Sequence, residues 1–354
     1  ICKDKGVYRT ERLRPLHNIE AELNLIRREF IARRLVKNAE MHKIIPMNNS
    51  GGRKGRTAMD VVMLKYLTLS ITHMQRKNCA ITDCDARACY DRILPIILYM
   101  TYHKMGLPID DCKWLARVLV NMEYKMITAH GPSEASSSTT NGKPILGIGQ
   151  GATDASAGWL LITTLLTKMY DKSMRGYTAV SPCGALSFTW THTMFVDDAY
   201  LIHASDKADT QTSNLKQTIQ QDLNEWNKGL ESTGGCINGD KTNYVILKWL
   251  FQDDVKPYLD TTISLQNTVT VNTTNTATHI KQLAPDQDIK QFKSLGVRTP
   301  PTLEDHYELD NILCKSKNFA KFLVSCPLTR KETWVAYTMY LVPSYTYSAV
   351  TLSL

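Results

Sequence analysis

Apolar residues alternate from Trp190 to Phe195 and again from Ala199 to Ala204, with Val196-Asp197-Asp198 between the two stretches. A period of two predicts strands, and the short interruption predicts a β-hairpin with paired carboxylates at its tip. A helical period predicts a helix capped by Asn18, with Ile19, Leu23, Ile26 and Phe30 on one face and Arg27, Arg28, Arg33, Arg34 and Lys37 on the rest. After the loop signal Asn48 to Gly52 come Arg53-Lys54-Gly55-Arg56 and a second helix from about Ala58 to His73. A strand from Cys79 to Thr82 ends at Asp83-Cys84-Asp85, and a helix through Ile93 to Met105 is stopped by Gly106 and Pro108.

Further along, residues 131 to 143 read as a hairpin or loop, and Gly147 to Gly151 open a helix through Trp159 to Tyr170. An amphipathic helix runs from Thr212 to about Leu230, followed by Gly234-Gly235, Asp240-Lys241-Thr242 and a strand from Tyr244 to Lys248. A Thr/Asn-rich, β-like insert covers about 258 to 283. The last stretch is helical, with Cys314 to Leu323 and Glu332 to Leu341 as its clearest parts.

With 354 residues, 43% hydrophobic and 21% charged, the chain has the make-up of an ordinary folded protein of two or three subdomains. Its net charge of +8 is concentrated at the start, because residues 1 to 56 hold 14 Lys or Arg against 6 Asp or Glu. That excess suits a phosphate-rich partner as well as a solvated helix face. Nine cysteines without a C-x-x-C pair or a secretion signal predict reduced thiols, no structural zinc and an intracellular setting. The apolar runs Ile93 to Met100 and Trp159 to Leu166 fall well short of the ~20 residues that span a bilayer, so no membrane partner is expected. A start at Ile1 rather than Met suggests a fragment of a longer reading frame.

Adjacent ionised aspartates repel each other, and crowding them is costly unless a cation neutralises them. Mg²⁺ takes one or two such oxygens together with substrate phosphates. On its own, Asp197-Asp198 is also an ordinary turn sequence. What adds meaning is the order of the surrounding blocks: Asp85 with Tyr90-Asp91, Gly147-Ile-Gly-Gln150-Gly151, Phe195-Val-Asp197-Asp198, Gly234 to Asn238 with Lys241-Thr242, and Phe292-Lys-Ser-Leu295-Gly296. In that order they resemble the reverse transcriptase of non-LTR, LINE-like retrotransposons. Leu13-Arg14-Pro15-Leu16 and Gly52-Arg53-Lys54-Gly55-Arg56-Thr57 extend the resemblance upstream.

The resemblance implies an α+β right-hand polymerase, with basic fingers over 1–78 and a palm over 79–297 whose antiparallel sheet carries the paired aspartates on a hairpin. Peripheral insertions near 131–143 and 258–283 and a helical, truncated thumb over 298–354 complete it. It further implies an RNA template, a DNA primer, dNTPs and two Mg²⁺ ions, with Mn²⁺ as a substitute. Nucleotide addition is phosphoryl transfer served by two metals, which calls for converging carboxylates. By the family pattern Asp85, Asp197 and Asp198 hold the metals, with Asp83 as a rival for Asp85. Tyr90 gates the sugar, Gln150 and Gly151 meet the template base and incoming nucleotide, and Lys241 attends the leaving pyrophosphate. Arg53, Lys54 and Arg56 clamp the triphosphate or template backbone through guanidinium and ammonium groups. The block after Gln150 departs from the usual Q-G-x-x-x-S-P, because Ala-Thr-Asp-Ala precede Ser156 and Ala157 stands where Pro is expected. An RNA-dependent RNA polymerase, or a decayed retroelement domain that binds RNA without synthesis, are the alternatives; oligomeric state is open.

Overall fold

The computed structural model describes residues 16–75, 77–128, 130–139, 142, 147–173, 176–204, 212–252, 256–263, 268–273, 276–286, 288 and 292–352. The match at Leu13-Arg14-Pro15 and part of the 131–143 segment lie outside these. The chain divides into two compact units, each assembled from separated segments.

The first unit combines the segment ending at Gly52 with Ala86–Ser173 and Glu225–Ile237. Its opening helix runs through Ala21–Arg27, a π-helical stretch Arg28–Leu35 and Val36–Met41. Asn18 is not its cap. Glu20 holds that position without a side-chain bond, and the backbone N–H of His17 is donated to the carbonyl of Gln150 at 2.7 Å. The expected apolar face also changes: Ile26 and Phe30 are exposed, whereas Arg27, Ile31, Leu35 and Ala39 are buried. These buried residues recur every four positions and run from the α-helical turn through the π-helical stretch. Arg28 and Arg33 do stand in solvent, each paired with Glu29, and Arg34 covers the Phe30 ring. Helices Pro95–Lys104 and Ile109–Val120 pair, and the helix Ala155–Ser173 packs on the first of these and on the π segment. Trp159, Leu161 and Ile162 on that helix are fully buried. The expected turn region begins as a hairpin of Tyr124–Thr128 with Gly131–Ser137.

The second unit holds the central sheet. Its five strands are β1 (Cys79–Asp85), β2 (His192–Phe195), β3 (Asp198–Ala204), β4 (Asn243–Leu247) and β5 (Lys281–Gln282). They lie in the order β5-β4-β1-β3-β2, antiparallel except for β5 beside β4. An α+β architecture with the aspartate pair at the β2–β3 turn is therefore present as expected. Trp190 precedes β2 and instead closes a separate hairpin, Tyr177–Val180 with Ser187–Trp190.

One face of the sheet packs on the helix Ala58–Gln75, where Leu69, Ile81, Ile202, Val245 and Trp190 share a core and the Trp190 indole donates to Thr68 at 3.1 Å. Each such side chain contributes ~1.5–3 kcal/mol on burial. Behind the sheet, buried His203 accepts or donates at both ring nitrogens, to Asp222 at 2.5 Å and to Thr82 at 2.8 Å, which ties the helix Thr212–Ser232 to β1 and β3.

The Thr/Asn-rich insert holds the hairpin Thr270–Thr273 with Thr276–His279 and its end supplies β5, while a further hairpin, Trp249–Gln252 with Lys256–Leu259, leads into it. The C-terminal region is helical as expected, in His306–Ser325, Arg330–Ala336 and Val342–Ser348. Thr329 and Glu332 form a reciprocal capping box at the second of these.

Candidate active site

β1 and β3 run side by side so that Asp85 lies directly opposite Asp198, and Asp83 opposite Tyr200. Like charges facing each other across a ladder destabilise a sheet. The electrostatics bear this out: burial, followed by Asp197, Asp85 and Asp83, pushes the Asp198 carboxyl up to about 6, against the opposing pull of Lys65. Asp197 and Val196 make up the two-residue turn between β2 and β3. Val196 has φ +57°, a left-handed conformation that a β-branched residue adopts only under strain and that a tight hairpin normally assigns to glycine.

The block after Gly234-Gly235 converges on Asp85. Asn238 donates its side-chain amide to Asp85 Oδ2 at 2.8 Å and its backbone N–H to the Asp85 carbonyl at 2.8 Å. Lys241 Nζ stands 3.5 Å from Oδ1, and Thr242 Oγ1 accepts from the Asp85 backbone N–H at 3.3 Å. Sequence reasoning placed Lys241 here but gave Asn238 no role. The rival carboxylate, Asp83, is engaged elsewhere: Lys65 reaches it from the helix Ala58–Gln75 at 2.9 Å. A cavity of about 200 Å³ opens above these groups, lined by Asp83, Asp85, Asp198, Lys241, Lys293 and Leu295. Lys293 was not singled out from sequence, although it sits within the Phe292-to-Gly296 block.

As the side chains stand, no three His, Cys, Asp or Glu groups among the described residues come together closely enough to hold an ion. The donor set nonetheless fits a hard divalent cation. Its members are carboxylate oxygens, and burial, followed by the neighbouring aspartates, disfavours the ionised Asp198, a penalty that a bound cation would relieve.

The other predicted residues fall in two further places. Arg53, Lys54 and Arg56 lie in the turn leading into the helix Ala58–Gln75, whose start is secured by Thr57 donating its backbone N–H to Asp60 at 2.6 Å. Lys54 is exposed and the two arginines are half-buried.

Tyr90, Gln150 and Gly151 all lie in the first unit. The Gly147–Gly151 loop is stitched to the short helix Cys89–Arg92, with the Ile148 N–H on the Tyr90 carbonyl at 2.8 Å and the Gly147 N–H on Ile93 at 2.9 Å. Gly147 has φ +84°, and a Cβ there would collide with the Tyr90 carbonyl, so only glycine permits this approach. The Tyr90 ring leans against Trp159 with 6.3 Å between centroids. The Gln150 peptide is held at both ends: its N–H is donated to Asp91, whose carboxyl burial pushes up, and its carbonyl accepts from His17.

The altered stretch after Gln150 also has a structural reason. Its Asp154 is buried and takes the Arg27 guanidinium at 2.8 Å and the Tyr102 hydroxyl at 3.1 Å, while Arg27 also donates to the Ile148 carbonyl at 3.1 Å. Arg27, expected on a cationic outer face, is instead an internal strut of the Gln150 loop. Ser156 next to it is exposed.

Among solved structures, the chain is similar to telomerase from Candida albicans in complex with a fragment of telomeric RNA, at 13% identity and a TM-score of 0.42, over 73% of this chain and 37% of that one. It is also similar to telomerase from Candida tropicalis in the corresponding complex, at 11% identity and a TM-score of 0.43, over 94% and 53%. The chain thus spans about half or less of the telomerase chains it matches. No curated protein matches it. Residues 11–299 match the sequence profile described as reverse transcriptase (RNA-dependent DNA polymerase). With that profile covering most of the chain, and with an antiparallel sheet that bears paired aspartates on a hairpin as right-hand polymerases do, the chain belongs to the reverse transcriptase family of RNA-directed DNA polymerases, which are nucleotidyltransferases.

Proposed function

We propose that this chain copies an RNA template by adding dNTPs to the 3′-hydroxyl of a DNA primer. The observation that carries the reading is the opposition of Asp85 and Asp198 on neighbouring strands, in a pocket whose crowded carboxyls call for a cation. Two divalent ions bound there would acidify the primer hydroxyl and neutralise charge on the triphosphate. Asp85 and Asp197 hold them, with Asp198 on the primer side. Asn238 keeps the Asp85 carboxylate fixed, and Lys241, half exposed at the pocket rim, braces or protonates the departing pyrophosphate.

Tyr90 lies beneath the incoming sugar and excludes a ribose 2′-hydroxyl. Gln150 and Gly151 meet the template base and nucleotide, a role supported by the double clamp on the Gln150 peptide. Arg53, Lys54 and Arg56 contact phosphates. We assign the fingers to 1–78, the palm to 79–297 and the thumb to 298–354. The order of the blocks, together with Phe292-Lys-Ser-Leu295-Gly296 and Gly52-Arg53-Lys54-Gly55-Arg56-Thr57, supports a non-LTR, LINE-like origin.

The test is primer extension on an RNA template with Mg²⁺, comparing dNTPs with NTPs and the parent chain with Asp197→Asn. Addition of dNTPs that vanishes in the variant supports the reading. Addition of NTPs alone would make the chain an RNA-dependent RNA polymerase, and salt-sensitive RNA binding with no extension would make it a decayed domain.

A further inference from the structure

Three carboxylates line the pocket, and they are not neutralised alike. Asp83 and Asp85 lie two apart on β1 and so share one face of the sheet, opposite Tyr200 and Asp198 of β3. Asp85 meets a neutral amide, Asn238, and Lys241 at 3.5 Å on the solvent side. Asp83 meets a buried ammonium. Lys65 is 5% exposed, and its Nζ lies 2.9 and 3.1 Å from the two Asp83 oxygens and 2.7 Å from Ser294 Oγ. It also sits 4.3 Å from the centre of the Tyr200 ring. An ammonium has three protons to donate, and here each has an acceptor. Burying a lysine is expensive unless it is paired and hydrogen-bonded, and this one is both.

We propose that Lys65 decides which carboxylates of the pocket are available to a divalent cation: by taking both oxygens of Asp83 it withholds that side chain and leaves Asp85 to act with the aspartates of the β2–β3 turn. The proposal rests on the polymerase reading above. Without the ammonium, Asp83 and Asp85 would form a second carboxylate pair along one strand, about 6.6 Å apart in backbone rise. That pair would hold a further cation of its own beside the hairpin tip, where its charge disturbs the ions that serve the reaction. Lys65 touches no reacting group and is a positioning residue. Asp83, the sequence-level rival of Asp85, becomes its decoy.

The experiment is a Mn²⁺ titration of the full chain, with free Mn²⁺ read by electron paramagnetic resonance and primer extension measured alongside. The parent, Lys65→Met, Lys65→Met/Asp83→Asn and Asp83→Asn are compared. Lys65→Met is expected to bind one additional Mn²⁺ per chain and to extend primers at least tenfold more slowly, and the double variant to return to the parental stoichiometry. Asp83→Asn, which keeps an oxygen acceptor for Lys65 and the lysine's bond to Ser294, is expected to match the parent in stoichiometry and to extend within threefold of it. It serves as the test should Lys65→Met fail to fold: fewer bound ions in Asp83→Asn would place Asp83 among the ligands and overturn the proposal. Unchanged Mn²⁺ stoichiometry in a folded Lys65→Met overturns it while leaving the polymerase reading intact. A parent chain that binds no Mn²⁺ overturns both.

Discussion

Asp198→Asn is expected to make the protein more stable while abolishing synthesis. The Asp198 carboxyl is raised from 3.8 to about 6 by burial and by three neighbouring aspartates. A shift of that size corresponds to ~3 kcal/mol of penalty on the ionised form, and because the side chain is partly open to water we discount it to roughly 1.5 kcal/mol. The sign follows from proton linkage. The folded chain holds this proton up to about pH 6, whereas the unfolded chain releases it near ~3.9. Stability therefore rises as pH falls through that window, and the full penalty applies above it.

Replacing the carboxylate by an amide removes the penalty, so the gain should be about 1.5 kcal/mol near pH 7.5 and visibly smaller by about pH 5. Urea denaturation in EDTA at both pH values measures it. A variant no more stable than the parent at the higher pH, or equally stabilised at both, would refute the argument. Saturating Mg²⁺ should narrow the gap, because a ligand of the folded state stabilises the chain that binds it.

Val196→Gly relieves a left-handed β-branched residue at the hairpin tip, worth ~1–3 kcal/mol, against ~0.5–1 kcal/mol of added chain entropy. We expect a higher melting temperature together with slower dNTP addition, and a lower melting temperature would contradict the strain. Arg27→Met strands Asp154 in the core of the first unit, so urea denaturation should register a loss of about 3–5 kcal/mol. Tyr90→Ala should admit ribonucleotides, cutting the preference for dNTPs over NTPs by roughly tenfold or more in single-turnover extension. An unchanged preference would remove Tyr90 from the sugar gate.

What the sequence makes legible here is periodic or local. The β2–β3 hairpin shows as two alternating stretches around a turn, and the helix Ala58–Gln75 as an apolar run after a basic loop. The aspartates are nominated by the order of the blocks around them, and the structure sets Asp85 opposite Asp198. Side-chain pairing over long separations was not legible. Lys65 and Asp83 lie 18 residues apart on different kinds of element, and Asn238 reaches Asp85 across 153 positions. Arg27 read as surface charge because it stands among other arginines, and its buried partner Asp154 lies far away in the sequence. The strand β5 was hidden by its setting, since two residues at the end of a Thr/Asn-rich stretch carry no period of their own. Val196 gave no warning either, because valine in a strand-rich region normally argues for extended backbone.

The edges of the central sheet deserve to be set against its middle. On one side stands β5, two residues long, and on the other β2, with four, while β1 and β3 inside have seven each. A short edge offers an incoming chain too few free amides and carbonyls to template a further strand. Among the described residues, the end of the insertion thus occupies the edge of the longer β4 at Asn243 and Tyr244. Cutting the chain back before Lys281 would uncover that strand and open it to edge-to-edge pairing.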